Sequence, residues 1–389
     1  MATAEENGRR RLFIIAGEAS GDALGADLIR ALRRRDIIGF EIAGIGGDRM
    51  IAEGIDTPFH VTEVSVMGIF AIAAALPRLV KRVHEVVDHA ITFKPDAVVI
   101  IDSPEFTHPI AHRIRKRLPD VPIVDYVSPS VWAWRSYRAR KMVGTIDKVL
   151  GLLPFEPAAY EALSGPPCVY VGHPLIERLD EFAPNPDRGT RSPKTALILP
   201  GSRSSEINRL LPIFKEGVHA FDQWTDEPVE WVLPAVPQLA ERIKTELSSW
   251  TVPVTTIIGR DEHRAAFRKA HLAIAASGTV TLELALARVP MVVCYRIDIV
   301  IAAFRSLLRA HSVVLPNLIA GGNTIPELIH KDCTVENILD WMKRLWTDTP
   351  DRKAQMAVFQ TVEDELRKAG PSPSSAAAHE VIKSFKDWA

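Results

Sequence analysis

The stretch HLAIAASGTVTLELALARVPMVVCY (His271–Tyr295) decides the fold that this sequence predicts. It opens with an apolar run that ends at Ala276, and a turn of small residues follows at 277–279. A helical stretch then leads to a second apolar run, which starts at Pro290. Strand, small-residue turn, helix and strand in this order are typical of a parallel βαβ unit.

The turn in this unit indicates a phosphate site. A turn without bulky side chains exposes the first N–H groups of the next helix, and the helix dipole attracts an anion to them. Glu283 follows Ser277 by six residues, about 9 Å at about 1.5 Å per residue. That distance suits a carboxylate that binds a ribose while the turn holds a pyrophosphate. The alternative is an ordinary turn followed by a solvated glutamate, and the stretch alone leaves both open.

Composition predicts a soluble two-domain protein. The 389 residues exceed the ~250–300 at which a single core stops growing. The net charge of −1 argues against a nucleic-acid binder that relies on bulk electrostatics. Three widely spaced cysteines predict buried free thiols rather than disulfides or zinc ligands.

Targeting and membrane segments are not expected from the sequence. No signal peptide is visible, and no apolar run reaches the ~18–20 residues of a membrane span. The run Val64–Leu76 is too short to cross a bilayer, but a basic cluster follows it. Two interpretations remain open: a buried core helix, or a segment that dips into a membrane surface.

The N-terminal half repeats the strand, glycine turn and helix pattern. Its first copy, Leu12–Leu32, carries Gly17, Ser20, Gly21 and Asp22 at the turn. These residues fit neither G-x-G-x-x-G nor a Walker loop. They indicate either close helix–strand packing or a backbone that approaches a ligand.

Asp102 is the candidate catalytic residue. It follows Ala97–Ile101, which reads as a fully buried parallel strand. Ligands of open α/β sheets bind outside the carboxyl ends of the strands, so an acid here is a candidate general base. The alternative is a helix cap.

A tryptophan-rich loop, 128–141, follows the next strand. It carries Trp132, Trp134 and several basic residues. Packing beneath a solvated basic face is one interpretation. The other is a site for an amphiphile with a phosphate, with the rings on its apolar body and arginines on its head.

The second half starts afresh after a linker, Leu179–Lys194, that is rich in proline and charge. Arg203 projects from its first glycine turn, where a guanidinium suits a phosphate. Asn317 lies in a loop-rich stretch before the last helices. The predicted domains are 1–180 and 181–355, followed by helices in 356–389 that pack back towards the first domain.

Nine motifs occur in one order. They are AGEASGD (16–22), GIGG (44–47), VSVMG (64–68), IDSPEF (101–106), SPSVWAWR (128–135), GHPL (172–175), PGSR with SEI (200–207), ASGT with a later Glu (276–283) and LPN (315–317). Together they resemble the lipid-A-disaccharide synthase family from about Leu12 to about Met342. The resemblance implies a GT-B type α/β fold, in which two doubly wound Rossmann-like domains face a cleft. It also implies that domain 1–180 holds the lipid acceptor and that domain 181–355 binds the UDP-sugar.

The resemblance also implies an activity, namely inverting transfer of 2,3-diacylglucosamine from its UDP derivative to 2,3-diacylglucosamine 1-phosphate. The products are the β-1,6-linked disaccharide phosphate and UDP. Asp102 would be the base. The expected UDP-binding residues are Arg203, Ser277, Gly278, Thr279, Glu283 and Asn317. The expected acceptor-side glycine loop is Gly17, Ser20, Gly21 and Asp22. The expected acyl or membrane contacts are Val66, Met67, Ile69, Phe70, Trp132 and Trp134.

The implied enzyme needs no metal or other cofactor. It would work in the cytoplasm at the inner face of the cytoplasmic membrane of a Gram-negative-type bacterium, and a homodimer is left open. Two alternatives are another GT-B enzyme that uses a UDP-sugar, either a transferase or an epimerase, and an NAD-dependent oxidoreductase. Against the second, neither glycine turn has G-x-G-x-x-G with an acid about 20 residues on.

Overall fold

The computed structural model describes residues 10–35, 39–64, 69–296 and 311–385, and only the backbone for 69–75. The chain forms two compact units. The first comprises Met1–Glu177 and Arg367–Ala389, and the second comprises Arg178–Leu366. Each unit contains one six-stranded sheet with helices on it.

The sheet of the first unit is parallel throughout, in the order β2-β1-β3-β4-β5-β6. Its strands are β1 (Arg10–Ala16), β2 (Phe40–Ile45), β3 (Ala97–Ile101), β4 (Ile123–Tyr126), β5 (Lys148–Gly151) and β6 (Cys168–Tyr170). All five residues of β3 are buried, as the apolar run predicts for a central strand covered on both faces.

Helices of the first unit follow its strands in alternation. They are α1 (Ala19–Arg35), α2 (Asp48–Ala52), α3 (Ile69–Phe93), α4 (Pro104–Arg117), α5 (Tyr137–Met142) and α6 (Glu156–Ala162). Short 3₁₀ turns cover Val61–Glu63 and Pro174–Glu181. Their apolar faces and the strands form one continuous core.

The second unit repeats the plan with a parallel sheet in the order β12-β11-β10-β7-β8-β9. Its strands are β7 (Lys194–Leu199), β8 (Val229–Ala235), β9 (Val254–Ile258), β10 (Ala270–Ala276), β11 (Met291–Tyr295) and β12 (Glu327–Ile329). Its helices are α7 (Ser204–Trp224), α8 (Ala240–Leu247), α9 (Arg260–Lys269), α10 (Val280–Leu286), α11 (Leu315–Ala320), α12 (Val335–Trp346) and α13 (Pro350–Arg367). The predicted βαβ unit is thus β10, α10 and β11.

The C-terminal part of the chain is divided between the units. Most of α13 belongs to the second unit, and α14 (Pro373–Ile382) packs on α1 in the first. Arg35 Nε donates to Ser375 Oγ at 3.0 Å, and Lys148 Nζ donates to Glu380 Oε2 at 2.9 Å. These bonds and the buried face of α14 hold the returning segment on the first sheet.

Candidate active site

Both sheets have a point at which the strand order reverses, and crevices for ligands form at such switch points. In the first sheet, β1 lies between β2 and β3, so the turns after β1 and β3 leave in opposite directions. In the second sheet, β7 lies between β8 and β10, with the same consequence. The predicted glycine turn and Asp102 follow the first pair of strands. Arg203 and Ser277 follow the second.

The two turns of the first switch point touch. Gly17 N donates to Ile101 O at 3.2 Å, and a Cβ on Gly17 would lie 2.2 Å from Ser103 Cβ. A Cβ on Gly21 would lie 3.1 Å from Ile101 O. Glycine is therefore required at position 17 by the close approach of the β3 turn, which accounts for the motif through packing.

Asp102 lies at this junction in an uncommon backbone conformation. Asp102 and Ser103 have φ values of +59° and +45°. Asp102 Oδ1 accepts a 2.7 Å bond from Ser103 N, and Oδ2 accepts a 3.0 Å bond from Ser20 Oγ. Since Ser20 Oγ also lies 2.6 Å from Glu18 Oε1, its single proton serves one of two carboxylates at a time. The predicted residues Gly17, Ser20 and Asp102 are thus brought together.

Asp22 has a different position. Its side chain is buried, and its carboxylate accepts bonds from the backbone N–H groups of Gly47, Arg49 and Met50 at 2.7–3.1 Å. The carboxylate therefore holds the start of α2 and the second glycine turn, so Asp22 orders the loops beside the site.

A cavity of about 880 Å³ opens beside the Asp102 turn within the first unit. Glu18, Ser20 and Ser103 are among its polar lining residues. Most of the wall is apolar and comes from α3, α4 and the neighbouring loops: Val64, Leu76, Leu79, Val80, Val83, Phe106, Pro109 and Trp134. Arg113 and Arg135 are the basic residues of this wall. A cavity that combines polar groups beside Asp102 with a mostly apolar wall suits an amphiphile.

The two predicted tryptophans have different surroundings. Trp134 is 47% exposed and lines the cavity. Trp132 is half-buried, packs edge-on against Phe155, and donates from Nε1 to Glu156 Oε1 at 3.3 Å. Of the other predicted acyl or membrane contacts, Val66 and Met67 lie outside the described residues. Ile69 and Phe70 are in the first turn of α3, where only the backbone is described.

The switch point of the second unit holds a smaller, basic cavity of about 130 Å³. Three arginines, Arg203, Arg209 and Arg296, line it together with one acid, Glu206. Ser277 and the first turn of α7 complete the wall. A described lining with three guanidinium groups suits a phosphate or diphosphate, which arginines bind through charge-assisted hydrogen bonds.

Glu206 organises this cavity. Its Oε2 accepts bonds from Ser202 N and Arg203 N at 3.0 and 3.2 Å, and its Oε1 pairs with Arg203 Nη1 at 3.1 Å. The Arg203 side chain remains 65% exposed. It is held near the start of α7 with most of its N–H donors towards solvent.

The predicted Ser277–Thr279 turn is partly occupied by protein contacts. Ser277 Oγ donates to Val313 O at 2.6 Å, whereas Gly278 and Thr279 are exposed. Glu283 is half-buried on α10, and no hydrogen bond to its carboxylate is found among the described residues. Burial raises the pKa of Glu283, and the nearby Arg178 opposes this. An unsatisfied carboxyl at this position is available to a ligand hydroxyl.

Asn317 is fully buried on α11 and does not line the basic cavity. Its Nδ2 donates to Ile325 O and Glu327 Oε1 at 2.9 and 2.8 Å, and its Oδ1 accepts from Ile325 N at 3.0 Å. Glu327 Oε2 also accepts from Val313 N. Asn317 therefore stabilises the loop that contacts Ser277, and its amide is fully used within the protein.

Several residues in or near the two cavities could not be identified as site residues from the sequence. Arg113, Arg209 and Arg296 are brought to their cavities by packing. Asp125, on β4, is buried and bonds His108 at 3.0 Å. Burial raises the pKa of Asp125, and the charge of Asp102 adds to this while His108 opposes it. Only knowledge of the strand order would have revealed that Asp125 and Asp102 are neighbours.

Metal ligands and membrane spans were also sought in the described part of the chain. No group of three or more His, Cys, Asp or Glu side chains there is arranged to hold a metal ion. None of the helices in the described ranges has both the length and the apolar character that crossing a bilayer needs.

Comparison with known proteins identifies the family. A family model described as lipid-A-disaccharide synthetase matches residues 12–381. The lipid-A-disaccharide synthase of Nitrobacter winogradskyi is 45% identical over 388 residues, which cover 99% of this chain and 98% of that protein. The lipid-A-disaccharide synthase of Bradyrhizobium diazoefficiens is 43% identical over 382 residues, with 97% of each chain covered.

Solved structures show the same fold at low identity. MurG of Acinetobacter baumannii has a TM-score of 0.60 at 15% identity, covering 96% of this chain and 99% of its own. A kitacinnamycin glycotransferase has a TM-score of 0.66 at 15% identity, covering 97% and 100%. The UDP-GlcNAc 2-epimerase from Neisseria meningitidis has a TM-score of 0.63 at 14% identity, covering 96% and 99%.

These likenesses and the two parallel sheets confirm the predicted GT-B type α/β fold. The family model and the relatives extend over nearly the whole sequence, so the resemblance seen in the nine motifs is confirmed. The chain therefore belongs to the lipid-A-disaccharide synthetase family of glycosyltransferases.

Proposed function

We propose that this chain transfers 2,3-diacylglucosamine from its UDP derivative to 2,3-diacylglucosamine 1-phosphate, with inversion at the transferred carbon. Family membership supports the reaction class, a UDP-sugar donor and a lipid-linked sugar acceptor. The observation that carries the proposal is the Asp102 carboxylate, which bonds Ser20 and Ser103, two residues that line a largely apolar cavity of about 880 Å³. A sugar that carries acyl chains needs this combination of a polar reacting end and an apolar wall.

The chemistry follows from the groups at the two switch points. Asp102 removes the proton of the acceptor 6-hydroxyl, and that oxygen attacks C1 of the donor sugar. The bond from C1 to the diphosphate oxygen breaks, and UDP leaves with the electron pair. General-base catalysis of this kind contributes typically 10²–10⁴-fold. The basic cavity of the second unit would stabilise the charge that develops on the diphosphate.

On the donor side, we assign diphosphate binding to Arg203 and to the turn formed by Ser277, Gly278 and Thr279. Glu283 would accept hydrogen bonds from the ribose hydroxyls. The contacts of Asn317 favour an indirect role, in which it holds the loop against Ser277. The chain's own residues supply the charge that UDP needs, so a metal or other cofactor is not part of the proposed mechanism.

The donor assignment predicts that Arg203→Ala weakens UDP binding about 10–100-fold, because a charge-assisted bond to the diphosphate is lost. Isothermal titration with UDP measures this directly. Lys353→Ala is the matched control, since Lys353 is also an exposed, acid-paired cation of the second unit. Unchanged UDP affinity in the Arg203 variant would refute the role of Arg203.

Mass spectrometry of the products tests the proposed function as a whole. The two diacylglucosamine substrates are incubated with and without the protein, and a disaccharide phosphate together with UDP is expected. Epimerised UDP-sugar, or equal turnover of deacylated substrates, would instead indicate another GT-B enzyme. Binding of NADH but not UDP would contradict the whole GT-B interpretation.

We also propose where the reaction occurs. The acyl chains keep both substrates in a bilayer, since each buried CH₂ contributes about 0.8 kcal/mol. The protein would therefore work as a peripheral enzyme at the cytoplasmic face of the inner membrane. The exposed apolar residues beside the cavity support this location. A homodimer stays a prediction that a measurement of mass in solution would test.

A further inference from the structure

We infer that Arg113 binds the phosphate of the acceptor and so selects a 1-phosphorylated sugar over an unphosphorylated one. The inference rests on the proposed function, because it assigns the ligand of the same cavity. It adds a specificity-determining residue that no motif in the sequence indicates. The evidence is the position of Arg113 in the cavity wall, its lack of an acidic partner among the described residues, and the distance of its guanidinium from the Asp102 turn.

Arg113 shares a cavity wall with the groups beside the base. Helix α4 starts at Pro104, directly after the Asp102–Ser103 turn. Phe106, Pro109 and Arg113 are spaced three and four residues apart, so they lie on one face of this helix. All three line the same cavity as Ser20 and Ser103. One ligand can therefore contact the catalytic turn and Arg113 together.

Arg113 has no acidic partner in the part of the chain that the structure describes. Its Nη1 donates to Pro109 O at 2.9 Å, and no carboxylate lies within 4.0 Å of it among the described residues. A guanidinium has five N–H donors, so most of its donors remain for a ligand. The bond to Pro109 also limits the freedom of the side chain, which lowers the entropic cost of binding.

The other basic residue of the wall is already paired. Arg135 lies 3.7 Å from Glu105 Oε1 and stacks over Trp134 at 4.0 Å. Arg138 donates to the same Glu105 oxygen at 2.6 Å. Two arginines thus offset Glu105, and Glu18 lies at the Asp102 end of the cavity. Of the two basic residues that line the described wall, Arg113 is the one without a carboxylate within 4.0 Å.

The distance from the base suits a hexosamine phosphate. The bond to Pro109 turns the guanidinium back towards the start of α4. It therefore lies about 10 Å along the helix from the Asp102 turn, at about 1.5 Å per residue. In a glucosamine 1-phosphate the 6-hydroxyl (through C6) and the phosphate project from C5 and C1, the two carbons that flank the ring oxygen. A hydrogen bond to the hydroxyl and an ion pair to the phosphate lengthen the span between the two protein groups that such a sugar can join. With the hydroxyl at Asp102, the phosphate extends along α4 towards Arg113.

Steady-state kinetics with two acceptors test the inference. Wild type, Arg113→Ala and Arg113→Lys are each assayed in detergent micelles with 2,3-diacylglucosamine 1-phosphate and with 2,3-diacylglucosamine. Arg117→Ala is the matched control, because Arg117 is one turn further along α4, exposed and outside the cavity wall. UDP affinity is measured for every variant.

The expected result is a rise of about 10–100-fold in KM for the phosphorylated acceptor in Arg113→Ala, with partial recovery in Arg113→Lys. The kinetics with the unphosphorylated acceptor and the UDP affinity should be unchanged in Arg113→Ala. Arg117→Ala should behave as wild type. This pattern would show that Arg113 acts on the phosphate and not on the fold.

Three other results would overturn the inference. Equal losses on both acceptors would assign Arg113 to packing. Unchanged KM in micelles with weaker binding to anionic phospholipid vesicles would assign it to a lipid headgroup. Wild-type kinetics in Arg113→Ala would remove any role. A wild-type protein that forms no disaccharide at all would instead refute the proposed function itself, so the two failures are distinguishable.

Discussion

Asp102 and Ser103 are adjacent non-glycine residues with positive φ, +59° and +45°. Such residues cost of order 1–3 kcal/mol each, and they persist where surrounding contacts enforce them. Here Ser103 N bonds the Asp102 carboxylate, and Thr107 Oγ1 bonds Asp102 O at 2.8 Å. These contacts hold the carboxylate beside the cavity that Ser20 and Ser103 line, which is the position a general base needs.

Replacing Asp102 by Asn removes the base but leaves the turn intact, because Asn also adopts positive φ and keeps the side-chain shape. We expect Asp102→Asn to lower kcat by about 10²–10⁴-fold, with the UDP affinity and the free energy of unfolding nearly unchanged. Initial rates and UDP titration measure these effects. Asp261→Asn is the control, since Asp261 is 94% exposed in the second unit. Full activity in the Asp102 variant would end the assignment of the base.

Glu156 is a second unusual carboxyl, 3% exposed beneath the tryptophan loop. It accepts bonds from Leu153 N at 2.9 Å and from Trp132 Nε1 at 3.3 Å. Burial raises the pKa of Glu156 to about 7 in spite of these bonds. The folded protein thus binds this proton more tightly than the unfolded chain, whose glutamate has a pKa near 4.5.

This difference predicts a pH dependence of stability. Between pH 4.5 and about 7 the folded state holds more protons, so the contribution of Glu156 to the free energy of unfolding falls as the pH rises. From pH 5 to pH 8 we expect wild type to lose up to roughly 3 kcal/mol more than Glu156→Gln. Urea unfolding at both pH values measures the loss. The comparison with Glu156→Gln is needed because His271 has the opposite effect on stability. Burial lowers the pKa of His271 to about 4, so its contribution to the free energy of unfolding rises with pH.

At the scale of elements, the sequence predicts what depends on neighbours in the chain. The all-buried strands β3 and β10 were visible as apolar runs, and Asp102 and Ser277 were placed at strand ends for that reason. Arg113 and Arg296 were not found, because a helix or strand end can present an arginine to solvent or to a cavity. Which of the two occurs is decided by packing with distant elements, here α3 against α4 for Arg113.

The meeting of the β1 and β3 turns gives a prediction for a glycine. In Gly17→Ala the new Cβ would lie 2.2 Å from Ser103 Cβ, so one turn must move. We expect a loss of about 1–3 kcal/mol in stability and a fall in kcat, since the displaced turn carries Asp102. Thermal unfolding and initial rates measure the two effects.

Gly189→Ala is the matched control for this change, because a Cβ at Gly189 meets no atom within 4 Å. That variant should keep both activity and stability near wild type. If Gly17→Ala were as active and stable as the control, the two turns would not constrain each other in solution.

For the whole molecule, the repeat of strand, glycine turn and helix in both halves predicted two α/β units. The order of the strands could not be predicted from the sequence. It depends on which earlier strand β3 and β10 pair with, and that partner is distant in the chain. The return of α14 to the first unit also relies on non-local contacts. One of them, between Lys148 and Glu380, joins residues 232 positions apart, and no local pattern encodes such a pairing.

The location of the enzyme is also a property of the whole molecule. Leu76 and Val80 are 55% and 47% exposed, one turn apart on α3, and both line the apolar cavity beside Trp134. Solvent-exposed apolar side chains at a cavity entrance fit insertion into a bilayer, from which an acyl chain enters directly.

The double variant Leu76→Ser, Val80→Ser should therefore bind vesicles of zwitterionic and anionic phospholipid about 30-fold more weakly, because each lost apolar side chain removes about 1 kcal/mol of transfer free energy. Cosedimentation measures the binding. Ile51→Ser is the control, since Ile51 is 42% exposed on α2 and does not line the cavity. Turnover of micellar substrate should fall less than vesicle binding, because a micelle delivers the acyl chains without insertion. Equal binding by the double variant and the control would assign Leu76 and Val80 to the acyl cavity alone and refute the proposed membrane contact of this surface.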